Sequence, residues 1–221
     1  MNNHNFSFCG TTFTALTSGA LWWEEQQILT VSDLHLGKSN RMARRNGLML
    51  PPYETRDTLA RLEADIYATN AATVICLGDS FDDLAAAESL TEDEALWINR
   101  LQAGRKWFWL EGNHDPGPTN FGGTHLGEYS ASSITFRHIA QPASGGEISG
   151  HYHPKATIKT HRQSTTRPCF LYDSDRVILP AYGTFTGGLR TNSLILQNLM
   201  QNHARAILTG PTLQIVPMPR D

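Results

Sequence analysis

The chain lacks an excess of positive charge: its 221 residues carry 18 Lys and Arg against 21 Asp and Glu, for a formal charge of −3. Overall basicity therefore cannot hold a nucleic acid, and any polyanion must be bound by local charge. Cysteine is also scarce. Cys9, Cys76 and Cys169 are widely spaced, odd in number and form no C-x-x-C pair, which argues against a disulfide framework or a zinc ribbon. Cys76 lies within the apolar run "TVICLG" and reads as a core residue. No apolar run is long enough to span a bilayer, and the opening "MNNHNFSFCG" has no basic segment followed by an apolar one. The compartment expected from this is a reducing cytoplasm. Low-complexity segments, repeats and clear linkers are missing too, while 40% of residues are hydrophobic. One domain over residues 1–221 is the expectation.

What is present alternates between strand-like and helix-like segments. "NFSFCGTTFTAL", "ALWWEE" and "QILTVSDLH" read as strands, separated by Ser18-Gly19 and by the polar break Gln26-Gln27. A helix is expected from about Thr55 to Ala68, with Leu59, Leu62 and Ile66 on one face. The strand "TVICLG" follows. A second helix begins near Thr91, where Thr91 and Glu94 have the spacing of a capping box, and the strand "KWFWLEG" succeeds it. The remaining short apolar runs, "SITFRHI", "GEISGHYH", "CFLYD", "RVILPAY" and "TLQIVPM", suggest a second sheet with little helix. The fold class is α/β with a β-rich C-terminal half.

Polar groups gather where these strands end. Asp33 and His35 follow "ILTVS", Asp79 follows "TVICLG", Asn113 and His114 follow "WFWLEG", and His151 and His153 close "GEISGHYH". In open α/β sheets ligands bind beyond the carboxyl ends of the strands, where loops converge. Asp, Asn and His supply oxygen and neutral imidazole nitrogen without thiolate, a mixture that suits divalent manganese, iron or zinc. Asp33 and His35 are one residue apart, as are His151 and His153, so an extended strand end would turn each pair to one face. Any one pair alone reads as ordinary surface polarity; the joint occurrence is the signal.

The ordered series D-x-H (Asp33, His35), G-D (Gly78, Asp79), G-N-H-D (Gly112 to Asp115), His138 and G-H-x-H (Gly150 to His153) resembles the calcineurin-like metallophosphoesterase superfamily. The surrounding text, "VSDLHLGKS", "LPPYETRDTL", "CLGDSF", "EGNHDP", "EISGHYHPK", "RPCFL" and "LPAYGTFTGGL", is similar to the ligase-associated DNA damage response endonucleases. The resemblance implies a sandwich of two mixed β-sheets flanked by helices. It implies two divalent ions, Mn2+ by resemblance with Zn2+ or Fe as alternatives. Asp33, His35 and His153 would hold one ion, and Asn113, His138 and His151 the other, with Asp79 between them. A DNA substrate, single-stranded by preference, is implied, together with an ATP-dependent DNA ligase, a helicase and a second nuclease as functional associates. Such a pair of ions would activate a hydroxide and offset the chain's negative charge. His114 would then be the general acid, with Asp115 orienting its ring.

Several residues stay open at this level. After "GDSF" the chain has Asp82 and Asp83 where relatives often have His at the first position, so Asp82 is either a group at the catalytic site or a cap for the next helix. His125 in "FGGTHLG" is either a substrate contact or a surface residue. Lys38 and Arg41 follow the D-x-H strand end directly and are expected to meet substrate phosphates. Arg44, Arg45, Lys155, Lys159 and Arg162 read as a solvated face, and Trp107 and Trp109 as core. His4, His161 and His203 lie outside every motif. The metal motifs alone also fit a phosphatase or phosphodiesterase of small nucleotides or phosphomonoesters. A non-catalytic scaffold need not keep every ligand, and here all are present.

Overall fold

A computed structural model describes residues 3–47, 51, 53–142, 145–159 and 164–221, without the side chains of Arg45, Asn46 and Lys159. His161 and Arg162 lie outside the described residues.

Alternating burial along short strands builds two mixed sheets. The first runs in chain order through β1 (His4–Phe8), β2 (Thr11–Ala15), β3 (Leu21–Trp23), β4 (Ile28–Val31), β5 (Thr73–Cys76), β6 (Lys106–Leu110) and β7 (Thr124–Leu126). Strands β1 to β4 form an antiparallel meander, and β4 to β7 are parallel. The second sheet comprises β8 (Glu128–Ala131), β9 (Ile134–Arg137), β10 (Glu147–Ser149), β11 (Lys155–Lys159), β12 (Ser164–Tyr172), β13 (Arg176–Ile178), β14 (Arg205–Leu208) and β15 (Gln214–Pro217). Its order is β15-β14-β12-β13-β10-β9-β8, with β11 added on β12; β9, β10 and β13 are parallel.

The sheets face each other across Phe6, Phe13, Ile75, Leu110, Phe136, Ile148, Phe170 and Ile207. On the outer face of the first sheet, α2 (Glu54–Thr69) and α4 (Glu92–Gln102) bury Leu59, Leu62, Ile66, Ile98 and Leu101. Each such side chain taken from water contributes about 1.5–3 kcal/mol. The short α5 (Leu194–Leu199) covers the second sheet through Leu196. The result is an α/β sandwich of two mixed sheets with flanking helices, as the motifs imply.

Two departures from the sequence reading have local causes. "NFSFCGTTFTAL" is not one strand but a hairpin, reversed at Cys9 and Gly10 with φ of 49° and 77°. Two consecutive positive-φ residues are the signature of a twisted two-residue turn, usually announced by Asn-Gly, so Cys-Gly gives little warning. The basic stretch after Gly37 is a helix, α1 (Lys38–Asn46), and the acidic segment that includes α3 (Leu84–Glu88) packs beside it. It begins at a left-handed Gly37 with no side-chain cap and carries almost no apolar face, so neither start signal nor periodicity marks it.

Candidate metal centre

The parallel strands of both sheets end on the same side. Beyond β4, β5 and β6 come Asp33 and His35, Asp79, and Asn113 to Asp115; beyond β9 and β10 come His138, His151 and His153. The first two loops run side by side: Asp33 N donates to Gly78 O (3.2 Å), His35 N to Asp79 O (2.9 Å) and Leu36 N to Ser80 O (2.9 Å). Their closeness explains the motif glycines. A Cβ on Gly112 would collide with the backbone and carboxylate of Asp79, and one on Gly150 with the Ser32 hydroxyl.

The strand ends are not extended. Asp33, His35, Asp79, His151 and His153 all have positive φ, between 45° and 67°. The D-x-H and H-x-H pairs thus meet through alternating left-handed residues, a correction to the simple strand geometry. Each such non-glycine residue costs on the order of 1–3 kcal/mol and persists where surroundings enforce it, a pattern that concentrates at functional sites.

Among the described residues three groups of possible ligands result: Asp33, His35 and His153; Asp79, His138 and His151; and His35, Asp82 and His114. In the first, Asp33, His35 and His153 converge, with His153 Nε2 3.1 Å from Asp33 Oδ1. Asp33 Oδ1, His153 Nε2 and His35 Nε2 are buried and have no aligned hydrogen-bond partner. The other Asp33 oxygen accepts from Ser32 Oγ and from His151 N (3.0 Å). In the second, His138 Nε2 lies 3.1 Å from Asn113 Oδ1, 3.2 Å from His151 Nδ1 and 3.4 Å from Asp79 Oδ2. His138 Nδ1 contacts Leu77 O at 2.7 Å and must donate to it, which leaves a lone pair on Nε2 of the neutral ring. Amide oxygen, imidazole nitrogens and carboxylate then point their lone pairs at one spot. That donor set fits a divalent cation, and the orphaned atoms of the first cluster fit a second. Burial disfavours charge on Asp33 and Asp79, yet both are held low, Asp33 chiefly by His153 and Asp79 chiefly by His138, the latter at about 2. The same two carboxylates push His138 up against its burial, while burial and the charge of His138 push His151 down.

Asp82 lies against the first cluster. It is fully buried, with Oδ1 2.8 Å from His35 Nδ1 and Oδ2 2.7 Å from Arg41 Nη1; Lys38 Nζ is 4.0 Å away. Burial would raise its carboxyl, but His35, Arg41 and Lys38 hold it far below the usual carboxylate range. A carboxylate on Nδ1 fixes the ring of His35 and leaves Nε2 for the first cluster. The helix cap is its neighbour instead: Asp83 Oδ1 accepts from Ala86 N at 2.7 Å.

Asp115 does not support the ring of His114, contrary to the sequence reading. Its carboxylate accepts from the backbone N–H groups of Asp79 (2.9 Å), Ser80 (2.7 Å), Phe81 (3.1 Å) and Gly112 (3.1 Å), clamping the Asp79 loop. Burial, with the charge of Asp79, pushes its carboxyl up to about 6 against the pull of these donors. The ring of His114 is oriented by the main chain: Nδ1 donates to Asp82 O at 2.9 Å, and Nε2 lies 4.0 Å from Asp79 Oδ2.

His125 does not join the clusters. It sits on edge strand β7 with its ring stacked on Trp109, 6.5 Å between centroids, which weighs against the substrate contact. Trp107 and Trp109 are buried as expected. Lys38 and Arg41 do border the site, but both are drawn to Asp82. Ser32 was missed; no pattern in the sequence marks a serine that steadies a neighbouring carboxylate.

The chain belongs to the calcineurin-like phosphoesterase family, which matches residues 27–179, and is a phosphoester hydrolase. That family uses a binuclear divalent metal centre. Pseudomonas putida nuclease MPE shares the fold, with a TM-score of 0.79 and 24% identity over 97% of this chain and 100% of that one. Yfce, a phosphoesterase from E. coli, superposes with a TM-score of 0.40 and 10% identity over 87% of this chain and 99% of that one, too loosely to speak to function. No curated protein matches.

Proposed function

We propose that the protein is a metal-dependent DNA endonuclease acting on single strands, a member of the ligase-associated repair nucleases. The observation that carries the hydrolytic part is the pair of clusters in which carboxylate, amide and imidazole donor atoms converge. Asp33, His35 and His153 would hold one ion and Asn113, His138 and His151 the other, with the Asp79 carboxylate shared between the two, and Mn2+ would be the resident metal. When bound, the ions lower the pKa of a water towards roughly 7 and neutralise phosphate oxygens. The nuclease part is supported by the sequence resemblance over nearly the whole chain and by the shared fold of a protein described as a nuclease.

The protein residues then have separate tasks. Asn113 is a neutral donor that adds no charge to repel a phosphodiester. His114, with Nδ1–H held by the Asp82 carbonyl, carries a proton on Nε2 only as the imidazolium, so its acid form is the cation. That proton goes to the sugar oxygen that leaves phosphorus. Lys38 and Arg41, with side chains 17% and 22% exposed, place positive charge beside the site. A cytoplasmic setting with a DNA ligase, a helicase and a second nuclease as associates completes the reading.

Circular single-stranded DNA separates this from a small-phosphoester enzyme. The Mn2+-loaded protein should convert the circle to linear strands, and a chelator should stop the conversion. Circles left intact beside rapid hydrolysis of mononucleotide esters would replace the nuclease reading with the other.

A further inference from the structure

The loop "GTFTGG" contains a side chain whose backbone and exposure are both unfavourable. Phe185 has φ 62°, a region where a bulky aromatic residue is an outlier, yet its side chain is not buried in return: the residue is 42% exposed. Its ring lies 5.7 Å from that of Tyr53, which is 54% exposed and stands at the start of α2, with the planes at 58°. Both flanks of the loop are fixed against the first cluster. Tyr182 N donates to Ser32 O (2.8 Å) and Gly183 N to Asp33 O (3.0 Å); on the other side Leu189 N donates to Tyr152 O (3.1 Å) and Gly188 packs on the His153 carbonyl. Between them Lys155 Nζ donates to Thr186 O (3.1 Å) and Thr184 N to Thr58 Oγ1 (3.2 Å). Two residues of chain span at most about 7 Å, so Phe185 stands within that distance of Gly183, which itself touches the Asp33 strand end. Backbone strain held by so many contacts is a feature that clusters at active sites and ligand clamps.

We propose that the exposed rings of Tyr53 and Phe185 form a stacking platform on which each ring takes one unpaired nucleobase of the single strand whose phosphodiester lies at the metal centre. This rests on the nuclease reading and names what that reading leaves open, how a single strand is told from a duplex. Every base has a π face, so exposed rings bind without regard to sequence, and a base within a duplex has no free face to offer. The loop that carries Phe185 is anchored by Gly183 on the Asp33 strand end, and Lys155 brings a cation to the same loop. A nucleotide supplies the two matching parts, a flat apolar base and an anionic backbone.

The test uses the whole, Mn2+-loaded protein and a short single strand with hydrolysis-resistant phosphorothioate linkages, carrying 2-aminopurine, whose fluorescence is quenched by stacking. Wild type should quench it. Phe185→Ala and Tyr53→Ala should weaken binding roughly 5- to 150-fold and reduce the quench, the range of a lost base–aromatic stack. Phe185→Trp should restore both, and Phe185→Leu, apolar but not aromatic, should not. Phe185→Gly relieves the positive φ and should melt no lower than wild type while binding as weakly as Phe185→Ala, which separates loss of stacking from loss of fold. Alanine variants that bind and quench like wild type would overturn the platform. Failure to open the single-stranded circle would instead sink the nuclease reading, and quenching would still report the platform.

Discussion

Replacing Asp79 by Asn lowers turnover of every phosphoester about a thousandfold or more, a loss of roughly 4 kcal/mol of transition-state stabilisation. The amide keeps the size of the side chain and an oxygen to accept from His114 N, at present 2.8 Å from Oδ1. What it removes is the negative charge of the proposed bridge, including that on the oxygen 3.4 Å from His138 Nε2. In the proposed role that charge serves the ions and not any particular substrate, so DNA and small nitrophenyl esters should suffer alike. Steady-state rates on both substrates measure this, and a melting curve close to wild type confirms that the variant folds. Activity within tenfold of wild type at equal metal content would remove Asp79 from the bridging position.

His114→Ala behaves differently. DNA cleavage should fall by about a hundred- to ten-thousandfold, the usual contribution of a positioned general acid. Hydrolysis of a nitrophenyl ester should fall far less, since nitrophenolate leaves without a proton. The orientation of the ring makes this specific: Nδ1 is tied to the Asp82 carbonyl at 2.9 Å, so only Nε2 can face a leaving group. A clear split between the two substrates supports the acid role. Equal losses on both would mean that His114 acts through metal binding or general packing.

Most of the site was legible because its residues fall at strand ends, where apolar runs stop and turn formers begin. Asp33, Asp79 and Asn113 could be placed beyond their strands from "ILTVS", "TVICLG" and "WFWLEG" alone. The helices α2 and α4 were legible for similar reasons: the first from Leu59, Leu62 and Ile66, the second from the Thr91–Glu94 capping box, which forms as expected. Strand order was not legible, because pairing β4 with β5 and β12 with β14 depends on contacts across long stretches of chain. The partners of Asp82, Asp115 and Phe185 were hidden for a related reason. A carboxylate in a loop reads the same whether it caps a helix, steadies a histidine or collects backbone N–H groups, and only the folded path decides. Asp83 caps the helix, Asp82 meets His35, and Asp115 clamps the Asp79 loop. The left-handed backbone at five of the seven candidate ligands leaves no compositional trace, since only glycine advertises that conformation.

Two ions are proposed to be held by these seven side chains, and anomalous scattering from a Mn2+-soaked crystal tests that directly. Two peaks are predicted: one among Asp33, His35 and His153, the other among Asn113, His138 and His151, with Asp79 reaching both. A single peak, or peaks away from these residues, would contradict it.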